Sequence, residues 1–270
     1  VNDAPVISDL PDQTIEEDSS LSVDLSASDV DGDVLTFSAE NGAVDITIDG
    51  TTLTVTPPAN YNGSGDVTVT VTDGDLSDST TFTLTVTPVN DAPSLDALSD
   101  ASVDEDNTYT LELSGADVDG DELTFQASVD ANGSVSIDGS LLTVTPSANF
   151  NGAILVSVLA SDGQASGSGS FTLTVNAVND APVVDSIVSQ SIDEDNILTI
   201  PVFVSDVDGD ELALSASGDN VTTSFDGTTL TVTPDQDYNG EVEVTVSAGD
   251  GEYTGSTTFT LTINPVNDAP

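Results

Sequence analysis

Carboxylates are the only charged side chains in this sequence, and they fall in a fixed order. Asp-Val-Asp-Gly-Asp stands at 29–33, 117–121 and 206–210. An acidic triplet precedes each copy: Glu16-Glu17-Asp18, Asp104-Glu105-Asp106 and Asp193-Glu194-Asp195. An Asp-Gly follows each, at Asp73, Asp162 and Asp250. Asn-Asp pairs recur at Asn2-Asp3, Asn90-Asp91, Asn179-Asp180 and Asn267-Asp268. Clustered oxygen donors without nitrogen or sulfur ligands suit a hard cation such as calcium, which takes about six to eight oxygens.

Composition narrows the chemistry further. The 270 residues hold 49 Asp plus Glu and no Lys, Arg, His or Cys. Nucleic acid and anionic membrane surfaces are excluded as partners, because both are bound through Lys and Arg. Without His, Cys or Lys there is no nitrogen base or thiol nucleophile. A glycosidase-type carboxylate pair is the only catalytic option. Every acidic cluster recurs three times at what read as repeat ends, which active sites seldom do, so the chain is expected not to be an enzyme. Disulfides are impossible, and no apolar run approaches the ~20 residues of a membrane span.

The positioning elements come in three copies. Val-Asn-Asp-Ala-Pro recurs at 1–5, 89–93, 178–182 and 266–270, an interval of one small domain. Its proline fixes φ and extends the residue before it, so the stretch reads as a semi-rigid joint. Repeats are expected at 1–88, 89–177 and 178–265, with 266–270 opening a further joint. The chain begins and ends on that joint and reads as a piece of a longer protein, so the lack of a leader says nothing about secretion.

Between the acidic motifs the pattern has period two, the signature of half-buried strands. Leu21, Val23 and Leu25 alternate with polar residues, as do Ile46 and Ile48, Val67, Val69 and Val71, and Phe82, Leu84 and Val86. With a first strand near 6–10 this predicts seven strands per repeat and no helix. Asp49-Gly50, Asp138-Gly139 and Asp226-Gly227 read as hairpin turns. Tyr61, Phe150 and Tyr238, each before Asn-Gly, read as packing rings between the fifth and sixth strands. The predicted fold is all-β: three tandem seven-stranded Ig-like sandwiches in a linear rod.

Alternating strands place the triplet at the bottom of each repeat, and the Asp-Val-Asp-Gly-Asp and Asp-Gly turns at the top. Stacking through the joint then converges Glu17, Asp18, Asn90, Asp91, Asp117, Asp119, Asp121 and Asp162 on a first junction. A second gathers Glu105, Asp106, Asn179, Asp180, Asp206, Asp208, Asp210 and Asp250. Asn2, Asp3, Asp29, Asp31, Asp33 and Asp73 form a half-site at the top, and Glu194, Asp195, Asn267 and Asp268 one at the bottom. Without a cation these acids repel one another.

In this order the motifs resemble the calcium-binding residues of cadherin repeats. Asn-Asp-Ala-Pro with Asp-Val-Asp-Gly-Asp looks like the cadherin-like tandem repeats of large bacterial surface adhesins, including those with RTX-type secretion. The resemblance implies calcium ligands at Glu17, Asn90, Asp91, Asp117, Asp119 and Asp162, and at Glu105, Asn179, Asp180, Asp206, Asp208 and Asp250. Pro88, Ala177 and Pro265 stand where the cadherin linker has a further Asp. The acidic pair between the fifth and sixth cadherin strands is missing from repeats one and two, while Asp235 and Asp237 stand in that region of repeat three. Fewer than the three ions of a cadherin junction are therefore expected. Asp29-Val30-Asp31 fails as an EF-hand, since Val34 occupies the required Gly position. The glycine-rich RTX nonapeptide is absent.

The functional expectation is a calcium-stiffened extender of an extracellular, cell-surface adhesin, serving cell adhesion or biofilm formation. Its partners would be calcium and neighbouring repeats of the same chain, with homotypic association as a further expectation. Two alternatives stand beside it. One is a fibre or sheath subunit packing laterally. The other is a carbohydrate-binding module, disfavoured by the absence of Trp.

Overall fold

The computed structural model describes residues 1–267, and strands are the only regular elements among them. Repeat one holds β1 (Val6–Ile7), β2 (Gln13–Glu16), β3 (Leu21–Asp24), β4 (Ala27–Ser28), β5 (Thr36–Glu40), β6 (Asp45–Asp49), β7 (Thr52–Thr56), β8 (Gly63–Thr72) and β9 (Ser77–Thr87). One sheet has the order β2-β9-β8-β5 and the facing sheet the order β3-β7-β6, with β1 paired to β4. Repeats two and three have the same topology. The chain is thus three tandem Ig-like sandwiches.

Alternation explains the layers. In β8, Val67, Val69 and Val71 are fully buried, while Thr68, Thr70 and Thr72 point outward and stay partly covered. In β9, Phe82, Leu84 and Val86 face them from the neighbouring strand. β-branched side chains suit such a pleated, half-buried surface. Each repeat closes its own apolar cluster, centred on Leu53, Leu142 and Leu230 respectively. Tyr61, Phe150 and Tyr238 pack against these clusters as expected. The glycine two residues on has φ of 150°, 135° and 142°, and a Cβ there would meet the ring at 3.2–3.3 Å.

The hairpin turns form where they were expected. Asp49 pairs with Thr52, Asp138 with Leu141 and Asp226 with Thr229, each across a two-residue loop that starts with Gly. The first strand differs from the expectation. It is not one strand near 6–10 but two, β1 and β2, in separate sheets. β1 runs antiparallel to β4, whereas β2 runs parallel to β9. At the crossover Leu10, Leu98 and Ile187 turn inward onto the clusters. Asp12 and Asp100 accept the backbone N–H of Thr83 and Thr172 at 2.8 and 2.7 Å, filling the gap before the parallel ladder begins. This second half of the first strand carries the acidic triplet to the repeat end.

Because the cores are separate, a core defect should stay in its own repeat. Leu142→Ala removes a fully buried side chain from repeat two alone, at an expected cost of about 2–5 kcal/mol. Hydrogen exchange should speed up at Val156 and Leu173 and remain unchanged around Leu53 and Leu230. Equal loss of protection in all three would show that the repeats unfold as one unit.

Candidate cation centres at the repeat junctions

The first junction is built from two turns and the joint. Asp117 opens the upper turn of repeat two. Its Oδ1 accepts the N–H of Asp119 at 2.9 Å and of Asp121 at 3.4 Å. Gly120, at φ 83°, lets the chain reverse there. The other oxygen, Asp117 Oδ2, is left buried without a hydrogen-bond partner. Asp119 Oδ2 accepts the Asp91 N–H at 2.8 Å and so ties the turn to the joint.

From below comes Glu17. The Glu17 N–H extends the parallel ladder to Thr87 O at 3.0 Å, and Asp18 then turns the chain with φ 58°. Glu17 is only 3% exposed. Its Oε1 accepts the Val89 N–H at 2.6 Å, while Oε2 is buried and unpartnered. One oxygen each from Glu17, Asp91 and Asp119 lies within 4.8 Å of the others, so repeat one, the joint and repeat two meet at one point. A buried, unpaired carboxylate oxygen is costly, and here several converge with no cationic side chain to pair them.

Not every candidate residue is open in this way. Asp162 is engaged: Oδ1 accepts the N–H of Gln164 and Ala165, both at 2.6 Å, and Oδ2 accepts the Asn90 amide at 2.9 Å. Asn90 Oδ1 in turn accepts the Gln164 amide at 2.9 Å. Asn90 and Asp162 therefore act as a clasp fastening the joint to repeat two. Asp18 Oδ1 accepts the Asn60 N–H at 3.1 Å inside its own repeat. Asp121 is exposed and meets Asp117 only through its backbone. Gln164 was missed from the sequence because no second repeat carries Gln at that place.

The second junction repeats the pattern. Glu105, 3% exposed, accepts the Val178 N–H at 2.6 Å. Asp180 N–H donates to Asp208 Oδ2 at 2.8 Å, and Asn179 clasps Asp250 at 3.0 Å. Asp180 Oδ2 and Asp206 Oδ2 are buried without partners. Here Asp206, Asp208 and Asp210 bring their oxygens within 4.8 Å of one another. Asp106 turns the chain at φ 61° beside them.

The chain ends hold half of each arrangement. At the top, Asn2 clasps Asp73 at 3.0 Å, Asp3 N–H donates to Asp31 at 2.8 Å, and Asp29, Asp31 and Asp33 cluster. At the bottom, Glu194 accepts the Val266 N–H and the Asn239 amide, beside Asp195 at φ 64°. Asn267 lies at the end of the described residues, and Asp268 lies outside them.

Electrostatics separates the two kinds of acid. Burial, then the charges of Asp119, Asp18, Glu17 and Asp117, push the Asp91 carboxyl above the ordinary aspartate value. Burial, then Asp106, Asp208, Glu105 and Asp206, do the same to Asp180. The Asn90 amide and two backbone N–H groups pull Asp162 down, and backbone N–H groups with Asn179 pull Asp250 down. Asp73 is lowered by the N–H groups of Leu76 and Asp75 and by the Asn2 amide. Ionised Asp91 and Asp180 thus oppose the junction above their raised values, and protonation relieves them as pH falls. Asp73, Asp162 and Asp250 support the fold above the ordinary value and lose that support only as pH falls through their lowered values.

Carboxyl carbon NMR in chelator should therefore show Asp91 and Asp180 taking up protons at higher pH than Asp73, Asp162 and Asp250. Coincident titration of Asp91 and Asp162 would contradict the crowding described at the first junction.

Comparison with known proteins agrees with this architecture. A family model described as bacterial Ig domain matches residues 2–87, 90–176 and 179–264. Chitinase A of Pseudoalteromonas piscicida is 33% identical over 170 residues, which are 61% of this chain and 21% of that protein. The chain thus spans about a fifth of the length of that curated relative. Among solved structures, PcdhgB3 EC1-4 is similar with a TM-score of 0.50 at 16% identity, over 97% of this chain and 76% of that one. Drosophila N-cadherin EC1-4 has a TM-score of 0.43 at 17% identity, over 99% and 76%. With three matches that together span nearly all of its length, the chain belongs to the bacterial Ig domain family.

Proposed function

We propose that this chain is an extender segment of a bacterial cell-surface adhesin, stiffened by calcium at the joints between repeats. The observation that carries the reading is the meeting of Glu17, Asp91 and Asp119 across the first joint, with Glu17 buried and one of its oxygens unpaired. Glu17, Asp91, Asp117 and Asp119 would hold the ion at the first junction. Glu105, Asp180, Asp206, Asp208 and Asp210 would hold it at the second. Asn90 with Asp162, and Asn179 with Asp250, would set the joint's position. A bound cation supplies the positive charge that the side chains lack, and so lets consecutive repeats approach end to end. Repeat boundaries fall at the joints, at 1–88, 89–177 and 178–265. The site is extracellular, where calcium is abundant, and the role is mechanical, supporting adhesion or biofilm formation without catalysis.

A second reading is favoured by the likeness to chitinase A. In it the same repeats are a spacer in a secreted polysaccharide-degrading enzyme. Both readings require stiff joints, and they differ in what lies beyond the chain.

Calorimetric titration should detect calcium binding with Kd of roughly 10⁻⁴–10⁻³ M or tighter. Replacing Asp117 and Asp119 together by Ala should abolish the first junction's share and spare the second. An unchanged stoichiometry in that variant would falsify the ligand assignment.

Chelation should loosen the joints and leave the sandwiches folded, because the clusters around Leu53, Leu142 and Leu230 contain no charged group. Small-angle scattering should change from an extended, narrow distribution with calcium to a broad one with chelator. Circular dichroism at 25 °C should keep its β signal in both states. Loss of that signal would mean that the ion is part of each fold.

A further inference from the structure

A cleft recurs where the first strand crosses between sheets in repeats two and three. In repeat two it holds about 210 Å³ and is bounded by Asp96, Ser99, Glu112 and Ser114. In repeat three it holds about 230 Å³ and is bounded by Asp185, Val188, Pro201 and Phe203. The backbones correspond: Asp96 N–H donates to Ser114 O at 2.9 Å, and Asp185 N–H donates to Phe203 O at 3.0 Å. The side chains do not. Where repeat two has Ser99, Glu112 and Ser114, repeat three has Val188, Pro201 and Phe203. Repeat one has Pro11, Asp24 and Ser26 at these places.

Three apolar residues stand together in the repeat-three cleft, and the core does not account for them. Phe203 is 66% exposed and Val188 76% exposed, so neither ring nor methyls serve the sandwich interior. The difference between the repeats also affects the acid beside them. In repeat two the Ser114 hydroxyl donates to Asp96 Oδ2 at 2.5 Å. Phe203 has no hydroxyl, so the Asp185 carboxyl group, at the rim of an apolar cleft, lacks that donor. Exposed apolar surface next to an unneutralised carboxylate matches a ligand with an apolar body and a cationic head.

We propose that the repeat-three cleft is a docking site for an arginine-bearing apolar segment of a different protein. The guanidinium pairs with the Asp185 carboxylate and lies over the Phe203 ring, and the apolar neighbour rests on Val188 and Pro201. Charge complementarity selects this occupant. A second copy of the chain has no Lys, Arg or His and a net charge of −49. It would bring further carboxylates to Asp185. An anionic membrane surface fails for the same reason. The partner must therefore supply the positive charge.

The test is titration of the full chain with N-acetyl-Leu-Arg-Leu amide at physiological salt, where the Debye length is about 8 Å and diffuse attraction to the joint acids is damped. NMR signals of both clefts are followed together, so repeat two serves as an internal control. Saturable shifts are expected at Val188 and Phe203, with little change at Ser99 and Ser114. The peptide with citrulline in place of arginine keeps the shape without the charge and should bind roughly fivefold more weakly. Phe203→Ser should abolish saturation. That variant retains the fold, since Ser26 and Ser114 occupy the place in the other repeats. Equal shifts in both clefts, equal binding of the citrulline peptide, or undiminished binding by Phe203→Ser would each overturn the proposal. So would shifts confined to the joint acids.

Discussion

Everything at the repeat ends depends on one electrostatic constraint: carboxylates are brought together, partly out of water, in a chain with no cationic side chain to balance them. Backbone N–H groups and the Asn and Gln amides are the principal donors available. Glu17, Glu105 and Glu194 each spend one oxygen on the first N–H of the following joint. The upper turns spend Asp29, Asp117 and Asp206 Oδ1 on their own loop N–H groups. These bonds orient the carboxylates but do not neutralise them, and the second oxygen of each upper-turn Asp is buried unpaired. The fold thus holds its acids in place at an electrostatic cost that an outside cation would lift.

The joint is not an independent linker. At the first junction it is fastened to the repeat that follows by the Asn90–Asp162 clasp, by Asp91 N–H to Asp119, and by buried Pro93. Pro93 O lies so near Gly167 that a Cβ there would sit 2.1 Å from it, and a Cβ at Gly255 would sit closer still to Pro182 O, at 1.8 Å. Any side chain at either glycine would push the joint away. Repeat one solves the same place differently, with Asp78 accepting the Ile7 N–H at 3.0 Å. To the preceding repeat the joint is tied by the Val89 N–H to Glu17. The joint's bonds thus lie mostly toward the following repeat, while Glu17 and Glu105 make its side-chain bonds to the preceding one.

Repetition and divergence divide the molecule's surface. The positions that meet across joints are copied in every repeat, because each must fit the next. Side faces are under no such constraint. There the repeats differ, as the cleft beside Phe203 illustrates against its Ser114 counterpart. A chain of tandem repeats built in this way keeps one junction design along its length and still presents a different side face in each repeat.

Period-two alternation around Val67–Val71 and Phe82–Val86 sufficed by itself to specify sandwiches, because in a strand each second residue must face the core. The recurrence of the joint sufficed to specify three of them, and the absence of Lys, Arg and His specified uncompensated charge. Which acids are open was decided only by the tertiary structure. Asp162 and Asp119 look equivalent in the sequence, yet one is saturated by Asn90 and two backbone N–H groups while the other shares a 4.8 Å cluster with Glu17 and Asp91. Hydrogen-bond saturation depends on where backbone N–H groups point, and no residue spacing encodes that directly. The divided first strand was hidden for a related reason. Its two halves, Val6–Ile7 and Gln13–Glu16, pair with β4 and β9, partners distant in sequence, and only their packing decides which sheet each half joins.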